Sequence, residues 1–479
     1  MSAAPARERP SKMRVYNTYT RLLEEFKPIT PGKVRMYNCG PTVYNYATIG
    51  NFRAYIFADV LRRSLEYFGN EVTQIVNITD VGHMTSDADE GEDKMSKAAR
   101  EQKKDPWQIA EFYMNAFFDD IKTLNIQPAQ KYPRATEHVA EMIAIVAKLI
   151  ENGHAYVTNG NVYYDVSSFP GYGRLSGNTL EQLNAGARIE VNPEKRNPQD
   201  FALWKQDPKH IMQWDSPWGR GFPGWHIECS AMSSKYLGDQ FDIHTGGEDN
   251  IFPHHECEIA QSEGATGKKP WVRYWMHTRF LLVNGQKMSK SLGNFFTLRD
   301  LVEKGCDPMA VRYVLMSTHY RQPLNFTLES VEGARESIRR LTDFRRRLND
   351  ASAPADCAAL PEILRKGKEG FDAALAEDLN TSAALAALFD LVREVNKLAL
   401  SRADAARVLA LLQAFDHVMG VLGEVKEEGL AAEVEALIQE RLESRKRRDF
   451  KRADEIRQQL KARGIVLEDF AGGTRWKRE

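Results

Sequence analysis

Cys39, Cys229, His254 and Glu258 form the strongest metal-binding set that can be read from this chain. Thiolates are soft ligands that select zinc-like metals, and imidazole suits the same ions. Pro253-His254-His255-Glu256-Cys257-Glu258 opens a predicted helix with Pro253 near its first turn. Positions 254 and 258 are four apart, so both side chains leave one helix face. Cys39 closes a predicted strand, and Cys229 ends the stretch Gly224-Trp225-His226-Ile227-Glu228-Cys229. His255, Glu256 and Cys257 compete as ligands, although Cys257 would point about 60° off the 254/258 face. There is no CxxC knuckle here, and each cysteine taken alone reads equally well as a small buried hydrophobe.

Two further stretches suit phosphate chemistry. Thr48-Ile49-Gly50-Asn51 falls between a predicted strand and a predicted helix, where backbone N–H groups can face an anion. Gly50 would let a nucleotide approach the backbone closely. Lys287-Met288-Ser289-Lys290-Ser291 follows a hairpin and precedes Gly293-Asn294. Lys287 and Lys290 could surround a triphosphate and neutralise charge on departing pyrophosphate. Lys94-Met95-Ser96-Lys97 imitates this second signal but lacks the fifth residue, and reads as a solvated helix face. Phosphate chemistry beside a sulfur-seeking metal is what activation of a sulfur-bearing amino acid requires.

These residues need a scaffold. Val34 to Cys39 reads as a strand, Phe52 to Phe68 as a helix, and Glu71 to Asp80 as a β-branched strand. That order is a βαβ unit and predicts a parallel sheet. Helix is expected over Thr136 to Glu151, with short strands at Ala155 to Val157 and Val162 to Val166. The sheet pattern resumes at Phe241 to His244, and Asn284-Gly285 marks a hairpin turn after Phe280 to Val283. Beyond about residue 300 the pattern is helical. Arg441 onward reads as a charged helix, followed by a strand at Gly464 to Asp469.

A chain of 479 residues is too long for one core, so several domains are expected. With 42% hydrophobic and 27% charged residues the composition is that of an ordinary globular protein. No apolar run nears the roughly 20 residues that span a bilayer, so no membrane partner is expected. Met1 to Lys12 lacks an apolar segment and reads as a tail, not a signal peptide. Five cysteines, an odd and sparse set, argue against a disulfide framework and for a cytoplasmic location. Net charge is −1, yet Arg445 to Arg448 and Arg475-Trp476-Lys477-Arg478 are basic, which suggests a phosphate-bearing partner.

Taken together the chain resembles the bacterial-type cysteinyl-tRNA synthetases, a class I aminoacyl-tRNA synthetase family, from about residue 13 to 478. The resemblance is carried by Tyr37-Asn38-Cys39-Gly40-Pro41-Thr42-Val43-Tyr44, Asn77-Ile78-Thr79-Asp80-Val81, Gly224 to Ser230, Phe252-Pro253-His254-His255-Glu256 and the 287–291 loop. Further matching blocks are His319-Tyr320-Arg321, Pro323 to Phe326 and Gly464 to Asp469. It implies an α/β fold: a Rossmann-like parallel-sheet catalytic domain with an insertion, then a helical bundle and a small C-terminal tRNA-binding domain. The implied divisions are a disordered tail over 1–12 and a catalytic domain over 13–120 and 211–280. An acceptor-stem-binding insertion covers 121–210 and a stem-contact region 281–328. A helical bundle spans 329–425, and an anticodon-binding domain 426–479.

The resemblance also implies one Zn2+ per chain on Cys39, Cys229, His254 and Glu258, binding the thiolate of substrate L-cysteine. Thr79, Trp225 and His244 match positions that line the amino-acid pocket. Lys290 matches the ATP-contacting lysine, and Asp242 and Gly246 fall in the nucleotide-side region. The implied partners are tRNA(Cys), L-cysteine and ATP with Mg2+, acting on a monomer. Trp476 could stack on a loop base. A zinc–thiolate bond separates cysteine from serine where shape gives only about 10²-fold, so no editing domain is expected.

One departure stands out. The family's motif starts with histidine where this chain has Thr48, with Asn51 at its last position. Loss of one preorganised donor can cost about 10² to 10³ in rate, so Thr48 is either a tolerated change or the mark of an attenuated site. Two other readings compete: a related cysteine ligase acting on an amino-sugar, and a tRNA-binding paralogue with a dead ATP site.

Overall fold

The computed structural model describes residues 12–82, 94–102, 104–179, 182, 192–289, 292–423, 432–470 and 473–478. Lys290, Ser291 and the tail 1–11 therefore lie outside the described residues, as does the side chain of Trp476.

The frame of the molecule is a βαβ unit: Lys33–Asn38 (β1), Ile49–Tyr67 (α1) and Glu71–Val76 (β2). α1 forms because Thr48 caps it and because Phe52, Ile56, Val60 and Leu61 recur at helical spacing on a buried face. It stops where Gly69 takes a φ of 90°. Much later in the chain come Trp225–Leu237 (α2), Phe241–Gly247 (β3), Glu256–Thr266 (α3) and Val272–Thr278 (β4). The four strands make one all-parallel sheet in the order β4-β3-β1-β2. The chain leaves β1 for β2 on one side, and β3 returns on the other. The switch point is thus between the carboxyl ends of β1 and β3, where open α/β sheets bind ligands.

Between β2 and β3 stand the helices Pro106–Thr123 and Val139–Glu151 and a four-stranded antiparallel sheet running from Ala155 to Pro223. After β4 the hairpin Leu281–Val283 and Gln286–Lys287 turns at Asn284 and Gly285, both with positive φ as a tight hairpin requires. Four long helices follow, Leu328–Asn349, Leu360–Ala376, Thr381–Val395 and Arg402–Met419. Their core merges with that of α1 and Pro106–Thr123.

The structure departs from the sequence-based expectations in two places. The charged segment after Arg441 is two helices, not one: Ala432–Lys446 and Phe450–Ala462. Arg448 has a φ of 64°, and Asp449 caps the second helix through the Arg452 amide, so the basic run forms the break. The hairpin Ile465–Phe470/Gly473–Arg478 completes this unit around Val434, Ile438, Ile456, Leu460, Ile465 and Leu467. Second, Lys94–Gln102 is a helix whose Met95 is buried in the core, so only part of that imitation signal is solvated. The helix expected to open at Pro253 is present: Phe252 before it is extended at φ −139° and ψ 133°, and the chain is helical from Pro253 into Glu256–Thr266. Proline keeps its predecessor out of the helical region, which sets the helix start at that point. Among the described residues no helix is long and apolar enough to cross a membrane.

Candidate active site

The carboxyl edge of the sheet gathers residues from distant parts of the chain. Cys39 follows the last residue of β1, and its N–H donates to Thr245 O of β3 (3.2 Å). Gly40 lets this strand exit cross the exit of β2, since a Cβ there would lie 1.8 Å from Asn77 O. Cys229 is set in the second turn of α2, Glu258 in the first turn of α3, and His254 in the helical residues that lead into it from Pro253. The ligand atoms of Cys39, Cys229, His254 and Glu258 all lie within 4.8 Å of one another. Cys229 Sγ is 3.6 Å from His254 Nε2, and His254 Nε2 is 3.0 Å from Glu258 Oε1. The i, i+4 relation expected of one helix face thus holds.

This donor set fits a metal ion. Glu258 is fully buried; its Oε2 accepts from His244 Nε2 (2.9 Å), while Oε1 has no well-oriented hydrogen-bond donor. One carboxylate oxygen is held in place and the other faces the thiols, an arrangement typical of a ligand oriented by its outer neighbours. His254 Nδ1 meets His226 Nδ1 at 2.8 Å. With the proton on His254 Nδ1, its Nε2 lone pair is directed at the cluster. A second combination, Cys39, His244, His255 and Glu258, is equally compact. His255 Nε2 is 3.2 Å from Cys39 Sγ, His255 Nδ1 is 2.7 Å from His277 Nε2, and His277 Nδ1 is 2.8 Å from Thr18 Oγ1. Cys257, another competitor in the sequence, lies in neither set and sits 3.4 Å from the Tyr172 hydroxyl.

Metal-free electrostatics match this geometry. Burial alone would raise the Glu258 carboxyl, but the charges of His244 and His254 and their hydrogen bonds hold it down at about 2. Burial would lower His254, yet Glu258 and Cys229 lift it to about 10. A hydrogen bond with Cys39, then burial and the Glu258 charge, push the Cys229 thiol well above its ordinary value. Burial, with His244 beside it, drops His277 to about 3, so it is a neutral ring.

Other candidate residues are placed variously. Trp225 is half-buried with its ring 5.0 Å from that of His254. Thr79 is buried; its hydroxyl donates to Glu228 Oε2 (2.8 Å) and accepts from Asn77 Nδ2 (3.1 Å). His244 is fully buried beside Glu258, with the rings of Tyr37 and Trp275 against it. Asp242 requires a correction. It lies at the amino end of β3, about 13 Å along the strand from Gly246. Its buried carboxylate accepts from the amides of Ile29 (2.5 Å) and Arg35 (2.8 Å). Both oxygens are committed to backbone at the wrong end of the sheet for a nucleotide. Gly246 is at the right end, and a Cβ on it would lie 2.8 Å from His255 Cε1.

The two candidate phosphate stretches meet at the start of α1. Thr48 caps α1 and forms an isolated antiparallel bridge with Thr297, and Ile49 N–H donates to Phe296 O (3.0 Å). A Cβ on Gly50 would be 2.8 Å from Met288 Cε, so the second signal packs on the first. Lys287 is exposed on the hairpin, and Asn294 closes the loop by accepting from Ser289 N (2.8 Å) and donating to Lys287 O (3.2 Å). Sequence reasoning missed Arg53, one turn into α1 and 2% exposed, whose guanidinium donates to Phe280 O (2.7 Å) and Gln322 O. It also missed His226, His277 and Thr18. A histidine after the apolar run Tyr274-Trp275-Met276 in the strand Val272–Thr278 was the one available hint.

Comparison with known proteins agrees with this architecture. A model of the class I (C) tRNA synthetase catalytic domain matches residues 25–336, the DALR domain matches 370–426, and a cysteinyl-tRNA ligase anticodon-binding domain matches 427–476. The cysteine–tRNA ligase of Treponema denticola is 46% identical over 97% of this chain and 99% of its own length. That of Geobacillus sp. is 46% identical over 98% and 100%, and that of Thermococcus onnurineus 45% over 97% and 99%. Among solved structures, Mycobacterium tuberculosis methionyl-tRNA synthetase in complex with methionyl-adenylate shares the fold. Its TM-score is 0.59 at 15% identity, covering 81% of this chain and 90% of that one. With a matching catalytic model, a matching anticodon-binding model and full-length relatives at this level, the chain belongs to the cysteine–tRNA ligase family of class I synthetases.

Proposed function

We propose that this protein attaches L-cysteine to tRNA(Cys) in two ATP-dependent steps. The observation that carries the reading is the convergence of Cys39, Cys229, His254 and Glu258 at the same sheet edge as the Thr48–Asn51 turn, in a chain of this family. In the first step a carboxylate oxygen of cysteine attacks the α-phosphorus of ATP·Mg2+. The bond to the bridging oxygen breaks, pyrophosphate leaves and cysteinyl-adenylate remains. In the second step the 2′-hydroxyl of the terminal adenosine attacks the activated carbonyl; AMP leaves and the hydroxyl proton passes to it or to water.

The chain's own residues bind, orient and stabilise charge. Gly50 and Asn51 hold the nucleotide at the start of α1, which Thr48 caps, with the Gly246 backbone on its other side. Lys287 and Lys290 neutralise charge on the departing pyrophosphate. Trp225 and Thr79 shape the amino-acid end, and His244 keeps Glu258 in place. One Zn2+ held by Cys39, Cys229, His254 and Glu258 would supply a Lewis-acid contact that accepts a thiolate and disfavours a neutral hydroxyl. Residues 121–210 and 281–328 would meet the acceptor stem, while 329–425 and 426–479 would grip the tRNA body and anticodon. The protein is taken to act as a monomer in the cytoplasm.

Cysteine-dependent exchange of pyrophosphate into ATP, followed by acylation of tRNA(Cys), tests the reading. Exchange with cysteine, near-background exchange with serine, and charging of tRNA are expected. Exchange without any tRNA charging but with transfer to an amino-sugar would favour the related ligase. Intact tRNA binding without exchange would favour an inactive ATP site. The anticodon-binding match over 427–476 speaks against the first of these.

A further inference from the structure

The first turn of α1 leaves very few donors free. Ile49 N–H donates to Phe296 O (3.0 Å), Asn51 N–H to Thr48 Oγ1 (3.3 Å) and Phe52 N–H to Thr48 O (2.9 Å). Of the first backbone amides, that of Gly50 alone donates to no described residue. Thr48 has one hydroxyl hydrogen, and it is spent on Asn51 Oδ1 at 2.8 Å. Thr48 therefore has no proton to offer a ligand while this cap is intact.

The Asn51 carboxamide is tied down by the same contacts. Its Oδ1 accepts from Thr48 O–H and also from Thr48 N–H at 2.9 Å. A backbone N–H can only donate, so the atom facing it has to be the oxygen; the usual uncertainty of an amide flip does not arise here. Nδ2 consequently projects away from Thr48, and no described residue accepts from it. Asn51 is exposed, and it adjoins Gly50, on which Met288 of the facing loop packs.

We infer that Thr48 acts in this chain as a positioning residue for Asn51. It locks the carboxamide so that Nδ2, beside the free Gly50 N–H, is the side-chain donor presented to the nucleotide during adenylate formation. The inference rests on the ATP-dependent reading of this site. It assigns Asn51 the direct contact and gives Thr48 an indirect one, made through Asn51. Two neutral, preorganised donors cost little reorganisation when charge develops on the phosphate. The plain alternative is that Thr48 and Asn51 form a helix cap and nothing more.

A kinetic cycle on the full chain separates the possibilities, using cysteine-dependent pyrophosphate exchange and thermal melting. Asn51→Ala should lower kcat about 100-fold, the order expected for one such donor. Thr48→Val should lower it about tenfold, and Thr48→Ser should restore it to within about twofold of the unaltered protein. In the Asn51→Ala background, Thr48→Val should have no further effect on kcat. If Thr48 touched the phosphate itself, its effect would persist in that background, and the inference would be wrong. If the pair were only a cap, melting temperatures would shift while kcat, measured well below them, stayed constant; that result also overturns it. Absence of exchange in the unaltered protein would remove the ATP reading, and this inference with it. Exchange that is present but unmoved by Asn51→Ala would remove the inference alone.

Discussion

Gly50 and Met288 are packed so closely that a methyl group on Gly50 would stand 2.8 Å from Met288 Cε. The two phosphate signals, far apart in sequence, thus share a van der Waals surface. Gly50 is helical, so its lack of a side chain is demanded by its neighbour and not by its backbone conformation.

Gly50→Ala should therefore separate stability from activity. Alanine favours helix over glycine by about 1 kcal/mol, and the clashing atom is the tip of a flexible side chain. The melting temperature should hold or rise slightly. Pyrophosphate exchange should fall at least about tenfold, because the Met288 side chain is pushed off α1 and a small misplacement of the neighbouring groups is costly. Full activity in Gly50→Ala would show that this contact does not place those groups.

Metal loading should release protons and strengthen as pH rises. Without an ion, Cys229 is protonated at neutral pH, because Cys39, burial and the Glu258 charge push its thiol well above the ordinary value. His254, lifted to about 10, is protonated as well. An entering cation displaces these protons, so zinc affinity should increase at each step from pH 6.5 to 8.5. Competition with a chelator at several pH values checks this, and a pH-independent affinity would mean that the ion binds elsewhere.

Asp242→Ala should behave as a stability variant and nothing else. It strips the acceptor from the amides of Ile29 and Arg35. Two partly exposed amides lose hydrogen bonds to a charged acceptor, a loss of about 1.5 kcal/mol or more in all. Denaturant unfolding should report that loss, while KM for ATP remains within about twofold. A large rise in KM would restore Asp242 to the nucleotide site.

Asp120 should give the protein a stability slope in mild acid. Its carboxylate is buried; Oδ1 is 3.2 Å from Arg299 Nη2, and Oδ2 has no described partner. Burial raises it to about 6, against the pull of Arg299. The folded state then holds the proton more tightly than the unfolded chain, whose carboxyl titrates near 3.8. The stabilisation from this group is complete below that value and is lost as pH rises through about 6. Asp120→Asn should abolish the slope, so calorimetry at pH 4.5, 5.5, 6.5 and 7.5 should find the variant gaining on the unaltered protein. A constant difference across that range would contradict the assignment.

What the sequence disclosed follows from its periodicities. The strand, helix and strand from Val34 to Val76 were legible because β-branched and helical spacings alternate cleanly there. His254 and Glu258 were legible as a pair because a four-residue interval on one helix places side chains on one face. Cys39 and Cys229 were legible only as residue types, since the sheet alone makes them neighbours. Asp242 was misplaced because a sequence does not reveal at which end of a strand a carboxylate finds its partners. His226, His277, Thr18 and Arg53 were missed because their roles come from tertiary contacts with groups remote in the chain. Thr48 was conspicuous by its type, but its engagement with Asn51 required atomic positions.

X-ray absorption spectroscopy at the zinc edge, on the zinc-loaded protein, tests the metal assignment most directly. Two sulfur scatterers near about 2.3 Å, with nitrogen and oxygen at about 2.0–2.2 Å, are expected. Cys229→Ser should leave a single sulfur. A shell of only nitrogen and oxygen, or a sulfur count unchanged by Cys229→Ser, would contradict a metal held by Cys39, Cys229, His254 and Glu258.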